Sequence, residues 1–115
     1  MIGRLFVCAV LGAALLYSGQ VVAAQVGIAS YYRSGKLTAN GESFNPHGMT
    51  AAHKHLKFGT KVLVTDIRTG RSVIVRINDR GPFIAGRIID LSLGAARALG
   101  IQGSGLAKVK LTTLN

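Results

Sequence analysis

A chain of 115 residues with 14 lysines and arginines, four acids and a single cysteine has room for one small domain and excludes an internal disulfide. A formal charge of +10 attracts polyanions in general, but the basic residues are scattered and identify no partner by themselves. The four acids, Glu42, Asp66, Asp79 and Asp90, limit where carboxylate chemistry can occur.

Met1–Arg4 is short and basic, Leu5–Leu16 is apolar, and Tyr17–Ala24 ends in Val22-Ala23-Ala24. Those are the three regions of a secretory signal peptide, with cleavage expected after Ala24. The apolar run, about 12 residues, is short of the roughly 20 that span a bilayer. Cys8 lies inside that run rather than after it, so lipid attachment is not expected. Residues 25–115 are then a single exported domain in the periplasm or cell-wall space, soluble after cleavage and not inserted in a membrane. For such a protein an anionic wall polymer or membrane surface suits the charge better than nucleic acid, the usual first guess.

No linker, repeat or low-complexity tract follows Ala24, and glycines punctuate short segments. Val26–Tyr32 reads as a strand, weakened by Gly27. Thr38–Gly48 is turn-rich, with Asn40-Gly41 and Asn45-Pro46 as its signals. Met49–His53 reads as a short strand. Lys61–Ile67 and Ser72–Asn78 form the clearest pair, a hairpin around Arg68–Arg71. Arg87–Asp90 is another short strand, and Ser92–Leu99 is a helix with Ser92 as N-cap and Gly100 as its stop. Leu106–Leu114 closes the chain, placing Val109 and Leu111 on one face and Lys108 and Lys110 on the other. About six strands and one or two short helices predict a mainly β protein, a small barrel whose closure removes exposed edges.

The second hairpin strand puts Val73, Val75 and Ile77 on one face. Continued two residues, it adds Asp79 to that interior face, at the barrel mouth, where partial burial favours a general acid. Arg80 opposes that effect, and Asn78-Asp79 before Gly81-Pro82 is equally ordinary turn chemistry. Asp66 belongs to the hairpin turn and Asp90 to the approach to the helix N-terminus. Glu42, in a glycine-rich loop, is the one partner for Asp79 without an obvious structural task. His47, His53 and His55 lack the further ligands that a zinc site needs, so neither metal nor cofactor is expected. Of Tyr31 and Tyr32 one faces in and one out, the outer one free to stack on a sugar or to cover the core.

Six blocks then follow in order: G-I-A-S-Y-Y (27–32), T-A-N-G-E-S-F (38–44), M-T-A-A-H-K (49–54), F-G-T-K-V-L-V-T (58–65), G-R-S-V-I-V-R-I-N-D-R-G-P-F (70–83) and G-R-I-I-D-L-S (86–92). Together they resemble the RlpA-like (rare lipoprotein A) domain, a double-psi β-barrel related to barwin and expansin domains. The resemblance implies a six-stranded double-psi barrel and an endolytic peptidoglycan transglycosylase. Such an enzyme cleaves the MurNAc–GlcNAc bond of peptide-stripped strands and forms 1,6-anhydro-MurNAc. It also implies Asp79 as the functional acid with Glu42 and His53 beside it, and leaves Tyr31, Tyr32, Asn78 and Arg80 as candidates for binding the strand. The expected partner is the glycan of peptidoglycan, met by a monomer, with no nucleic acid. Arg33–Leu37 is shorter than the usual loop of that family. The alternative is a non-catalytic, expansin-like wall-binding or wall-loosening module.

Overall fold

Six strands, β1 (Ala24–Tyr32), β2 (Thr50–Ala52), β3 (Lys61–Asp66), β4 (Ser72–Asp79), β5 (Arg87–Ser92) and β6 (Ala107–Leu114), and one helix, α1 (Leu93–Leu99), make up the domain. The computed structural model describes residues 24–32, 34–35 and 37–114. The expected signal segment with Cys8 lies outside the described residues, as do Arg33 and Lys36 of the short loop.

Alternation in the hairpin sets the core. Val62 and Val64 of β3 face Val75 and Val73 of β4, and all four are buried. On its other edge β3 pairs with β6, where Val64 meets Leu111. Ala29, Ile77, Ile89, Leu91 and Val109 belong to the same cluster. Full burial of each large aliphatic side chain favours folding by about 1.5–3 kcal/mol. β6 also pairs with β1, so the order β1-β5-β2-β4-β3-β6 closes into a barrel. Two of its pairings are parallel, β1 with β5 and β2 with β4. Gly27, a weak strand former, stands where a Cβ would come within 2.6 Å of the Ile88 side chain, so close packing requires it.

Helix α1 begins and ends where its caps predict. Ser92 Oγ accepts from Ala95 N, and Gly100 takes the left-handed conformation at φ 87°. The Ser92 hydroxyl does more than cap: it accepts from Thr50 N at the start of β2 and donates to the Gly48 carbonyl. Ser92→Ala should therefore lower stability by about 2–3 kcal/mol, a lost cap plus buried polar groups left unpaired. Urea unfolding would show it; an unchanged midpoint would mean that water replaces the hydroxyl.

One feature of β4 departs from the sequence pattern and places the site. Ala51 opposes Ile77, but Ala52 opposes Asp79, so Asn78 is an extra residue in the strand. Partners across a ladder share a face, whereas neighbours along a strand do not. Asp79 thus points to the side opposite Ile77, and its expected interior position is incorrect. A β-bulge resets the strand phase, and no period-2 reading passes through it.

Candidate active site

The bulge brings Asp79 into a row of side chains that crosses four strands. Ser30 of β1 pairs with Asp90 of β5, Asp90 with Ala52 of β2, and Ala52 with Asp79 of β4. Two carboxyls therefore flank a single methyl group on one face of the sheet. Ser30 Oγ donates to Asp90 Oδ1 at 2.7 Å. Burial, and secondarily the charge of Asp79, hold the proton affinity of Asp90 above the usual carboxylate range, against the opposing hydrogen bond from Ser30 and the charge of Arg87.

Asp79 is fixed through one oxygen. Its Oδ1 accepts from the backbone N–H of Ala39 and of Arg80, each at 2.9 Å. Oδ2 has no hydrogen-bond partner among the described residues and is the oxygen left for a ligand. The Ala39 N–H comes from the turn that Asn40-Gly41 predicts, closed by Gly41 N to Thr38 O at 2.9 Å.

Glu42 anchors that turn. Its carboxylate forms a bidentate ion pair with Arg76, at 2.6 and 2.9 Å, and accepts from Asn40 Nδ2 at 2.7 Å and Asn78 Nδ2 at 3.3 Å. It and Arg76 form the one ion pair among the described residues. Those donors, Arg76 foremost, hold Glu42 down at about 2. This is a permanently charged group with its lone pairs in use, and it has the structural task that the sequence did not reveal. A depressed value means that the tether is complete above the ordinary 4.5 and is lost as pH falls through about 2. A carbon-13 titration of the Glu42 carboxyl should show no step between pH 4 and 8; a step near 4.5 would show that the ion pair is absent in solution.

His53 is committed in a similar way. Its Nδ1 accepts from the backbone N–H of His55 at 3.0 Å and Leu56 at 3.1 Å, which leaves Nε2–H to donate to Gln25 Oε1 at 3.0 Å. Burial, helped by His55, Arg80 and Lys54, lowers its proton affinity and keeps it neutral. Its backbone N–H donates to the Asp79 carbonyl at 3.2 Å, so His53 borders the site through the main chain. Arg80 turns its guanidinium to the carbonyls of His53 and Leu56, at 3.1 and 2.8 Å, and over the Phe58 ring at 4.0 Å. It binds the 53–58 loop and makes no ion pair with the Asp79 carboxylate.

Asn78 is buried beneath the turn, holding Glu42. Tyr31 packs against the core and donates its hydroxyl to the Gln102 carbonyl at 3.0 Å. Tyr32 lies on the carboxyl side and stacks on Phe44, with ring centroids 4.8 Å apart. Asp90 is the site residue that the sequence reading assigned elsewhere. Its position out of phase with Ile89 and Leu91 showed that it faces away from the core; only the β5–β2–β4 pairing shows that Asp79 shares that face. Among the described residues no three His, Cys, Asp or Glu side chains come together as a metal site requires.

A closed six-stranded double-psi β-barrel carrying two carboxyls on one face of its sheet defines the class of this protein. Structural comparison agrees: a Streptomyces papain inhibitor superposes with a TM-score of 0.69 at 19% identity, over 83% of this chain and 97% of that one. A Clavibacter michiganensis expansin superposes with a TM-score of 0.64 at 23% identity, over 81% of this chain and 51% of its own. The family model described as lytic transglycolase matches residues 24–111, and the chain belongs to that family. A Nostoc protein named as a probable endolytic peptidoglycan transglycosylase RlpA is 61% identical over 93 residues, 76% of this chain and 25% of that protein. The Pseudomonas aeruginosa endolytic peptidoglycan transglycosylase RlpA is 53% identical over 89 residues, 75% of this chain and 26% of that protein. The chain thus spans about a quarter of the length of these relatives.

Proposed function

We propose that the domain is an endolytic peptidoglycan transglycosylase that cleaves the MurNAc–GlcNAc bond of peptide-stripped strands. The observation that carries this reading is the Asp79–Asp90 pair with its unpartnered Oδ2. Identity of 53–61% to proteins named for that activity supports it.

The reaction needs one proton and no water. Asp79, whose Oδ2 is free, is the group placed to carry that proton, with Asp90 across β2 on the same face. Asp79 delivers it through Oδ2 to the glycosidic oxygen as the bond from that oxygen to C1 of MurNAc breaks. The C6 hydroxyl of the same MurNAc then bonds to C1, and its proton returns to Asp79, closing the 1,6-anhydro ring. A hydrolase would instead need a carboxylate placed to activate water. On this reading Glu42 and His53 are positioning residues. Glu42 fixes the turn that supplies the Ala39 N–H, and His53 fixes the loop that Arg80 binds. Asn78 and Arg80 support the turn and the 53–58 loop that border Asp79, and Tyr31 packs on the core.

The protein acts as an exported monomer, freed by cleavage after Ala24, and its positive charge draws it to the anionic wall. Mass spectrometry of peptide-stripped glycan strands after incubation tests the activity. Release of fragments ending in 1,6-anhydro-MurNAc is expected. Sedimentation with insoluble peptidoglycan and no released fragments would establish the non-catalytic, expansin-like alternative.

A further inference from the structure

Basic residues that are scattered along the sequence are partly gathered by the fold. β1, β6, β3 and β4 stand side by side, and their antiparallel registers align the outward side chains in rows. Partners across a ladder share a face. One row is Val26, Lys110, Thr65 and Ser72; the next is Ala24, Thr112, Leu63 and Ile74; a third is Leu114, Lys61 and Arg76. Lys108, opposite Ile28, extends the face toward the hairpin turn, where Ile67 N donates to its carbonyl.

Two properties of this face select a partner. The first is charge without a counter-charge. Lys61, Lys108 and Lys110 are exposed and form no ion pair among the described residues. The two acids that adjoin the face are engaged: Glu42 holds Arg76, and Asp66, 3% exposed, accepts from the N–H groups of Arg68 and Thr69. The second is the aliphatic surface among the lysines. Val26, Ile67 and Ile74 are each about half exposed, and exposed Leu106 lines a depression with Arg68 and Lys108. β3, β4 and β6 contain no aromatic residue, so the face offers no ring on which a base or sugar could stack. Lysines interspersed with aliphatic side chains match the headgroup boundary of an anionic bilayer. The ammonium groups meet the phosphates there, and the aliphatic carbons enter just beneath.

We propose that the outer face of β1, β6, β3 and β4 docks the domain peripherally on an anionic phospholipid surface. The closed order β1-β5-β2-β4-β3-β6 places β3 opposite β5 and β6 opposite β2. Asp90 and Ala52 of the carboxyl row stand on β5 and β2. A domain lying on its lysine face therefore turns that row away from the lipid. The contact needs no spanning segment, and among the described residues no helix is long and apolar enough to be one. It is independent of the reaction proposed above and adds where the domain is held.

Flotation with vesicles of mixed phosphatidylglycerol and phosphatidylcholine tests the contact, using the secreted protein with its first residue established by intact mass. Wild type and variants share the same N-terminal segment, so their difference reports this face alone. Binding should weaken as salt rises and be lost on phosphatidylcholine alone. Lys61→Thr, Lys108→Thr and Lys110→Thr together should weaken it about 100-fold, from about 5-fold for each lysine beside an anionic surface. The chain has no tryptophan, so Ile74→Trp supplies a single reporter whose emission should shift to the blue on these vesicles. Undiminished binding by the triple variant, or a tryptophan at 74 that stays in water on bound vesicles, overturns the proposal. Wild-type binding to soluble polyphosphate but not to vesicles would assign the face to an anionic polymer and overturns it too. The triple variant should release anhydro fragments from soluble peptide-stripped strands as wild type does. Release by neither would end the proposed reaction and leave the lipid contact standing.

Discussion

Asp79→Asn is expected to abolish release of 1,6-anhydro-MurNAc fragments, a loss of about 10²- to 10⁴-fold for removal of a general acid, while leaving the fold intact. The structure explains the separation. Asparagine keeps an Oδ1 that can accept the Ala39 and Arg80 N–H groups, so the turn and the end of β4 stay in place. Its Nδ2 replaces the free Oδ2 and cannot carry the proton to the glycosidic oxygen. The measurement is product analysis by mass spectrometry beside a thermal unfolding curve. Undiminished release by a folded variant would remove Asp79 from the mechanism. Binding to insoluble peptidoglycan should persist, because nothing in the change alters the positive surface.

Asp90→Asn has the second large expected effect, and it acts oppositely on activity and stability. The substituted amide still accepts from Ser30 through its Oδ1, so the β1–β5 contact survives. In wild type the raised proton affinity of Asp90 means that, above the ordinary value of 3.8, the unfolded chain ionises while the folded one does not. Unfolding then releases a proton, and stability falls with rising pH until the folded group also ionises. The variant loses that slope and should be more stable than wild type at neutral pH. Its activity should fall about 10- to 100-fold, as for weakened general-acid catalysis. Stability against pH and product release recorded side by side decide the matter; undiminished release would show that Asp79 acts without Asp90.

Strand phase and capping chemistry located most of the elements. Val62 and Val64 opposite Val75 and Val73, Val109 and Leu111 inward with Lys108 and Lys110 outward, and Ser92 and Gly100 bounding α1 all lie where the pattern places them. These are local properties: a side chain's face follows from its neighbours in the chain, and a cap from the residue that provides it. The ordered motif blocks added the double-psi barrel and the family. The acid of I-N-D-R-G-P-F also drew attention from the sequence, as an acid ending the most strand-like segment.

Other features depended on residues far apart in the chain. Glu42 lacked a partner until the fold brought Arg76 to it from 34 residues away. His53 was ranked by resemblance, and its ring proves to be occupied by Gln25 from 28 residues away. The side on which Asp79 points was decided by the bulge at Asn78, visible only in the pairing of β4 with β2. Asp90 became its neighbour because β2 contributes a single alanine between β4 and β5. The sequence by itself determined the strands, the helix with its caps, the buried face of the hairpin and the short set of acids available for chemistry. Tertiary structure alone decided which of those acids share a face, because register across a sheet is set by long-range pairing and a single bulged residue inverts every side chain beyond it.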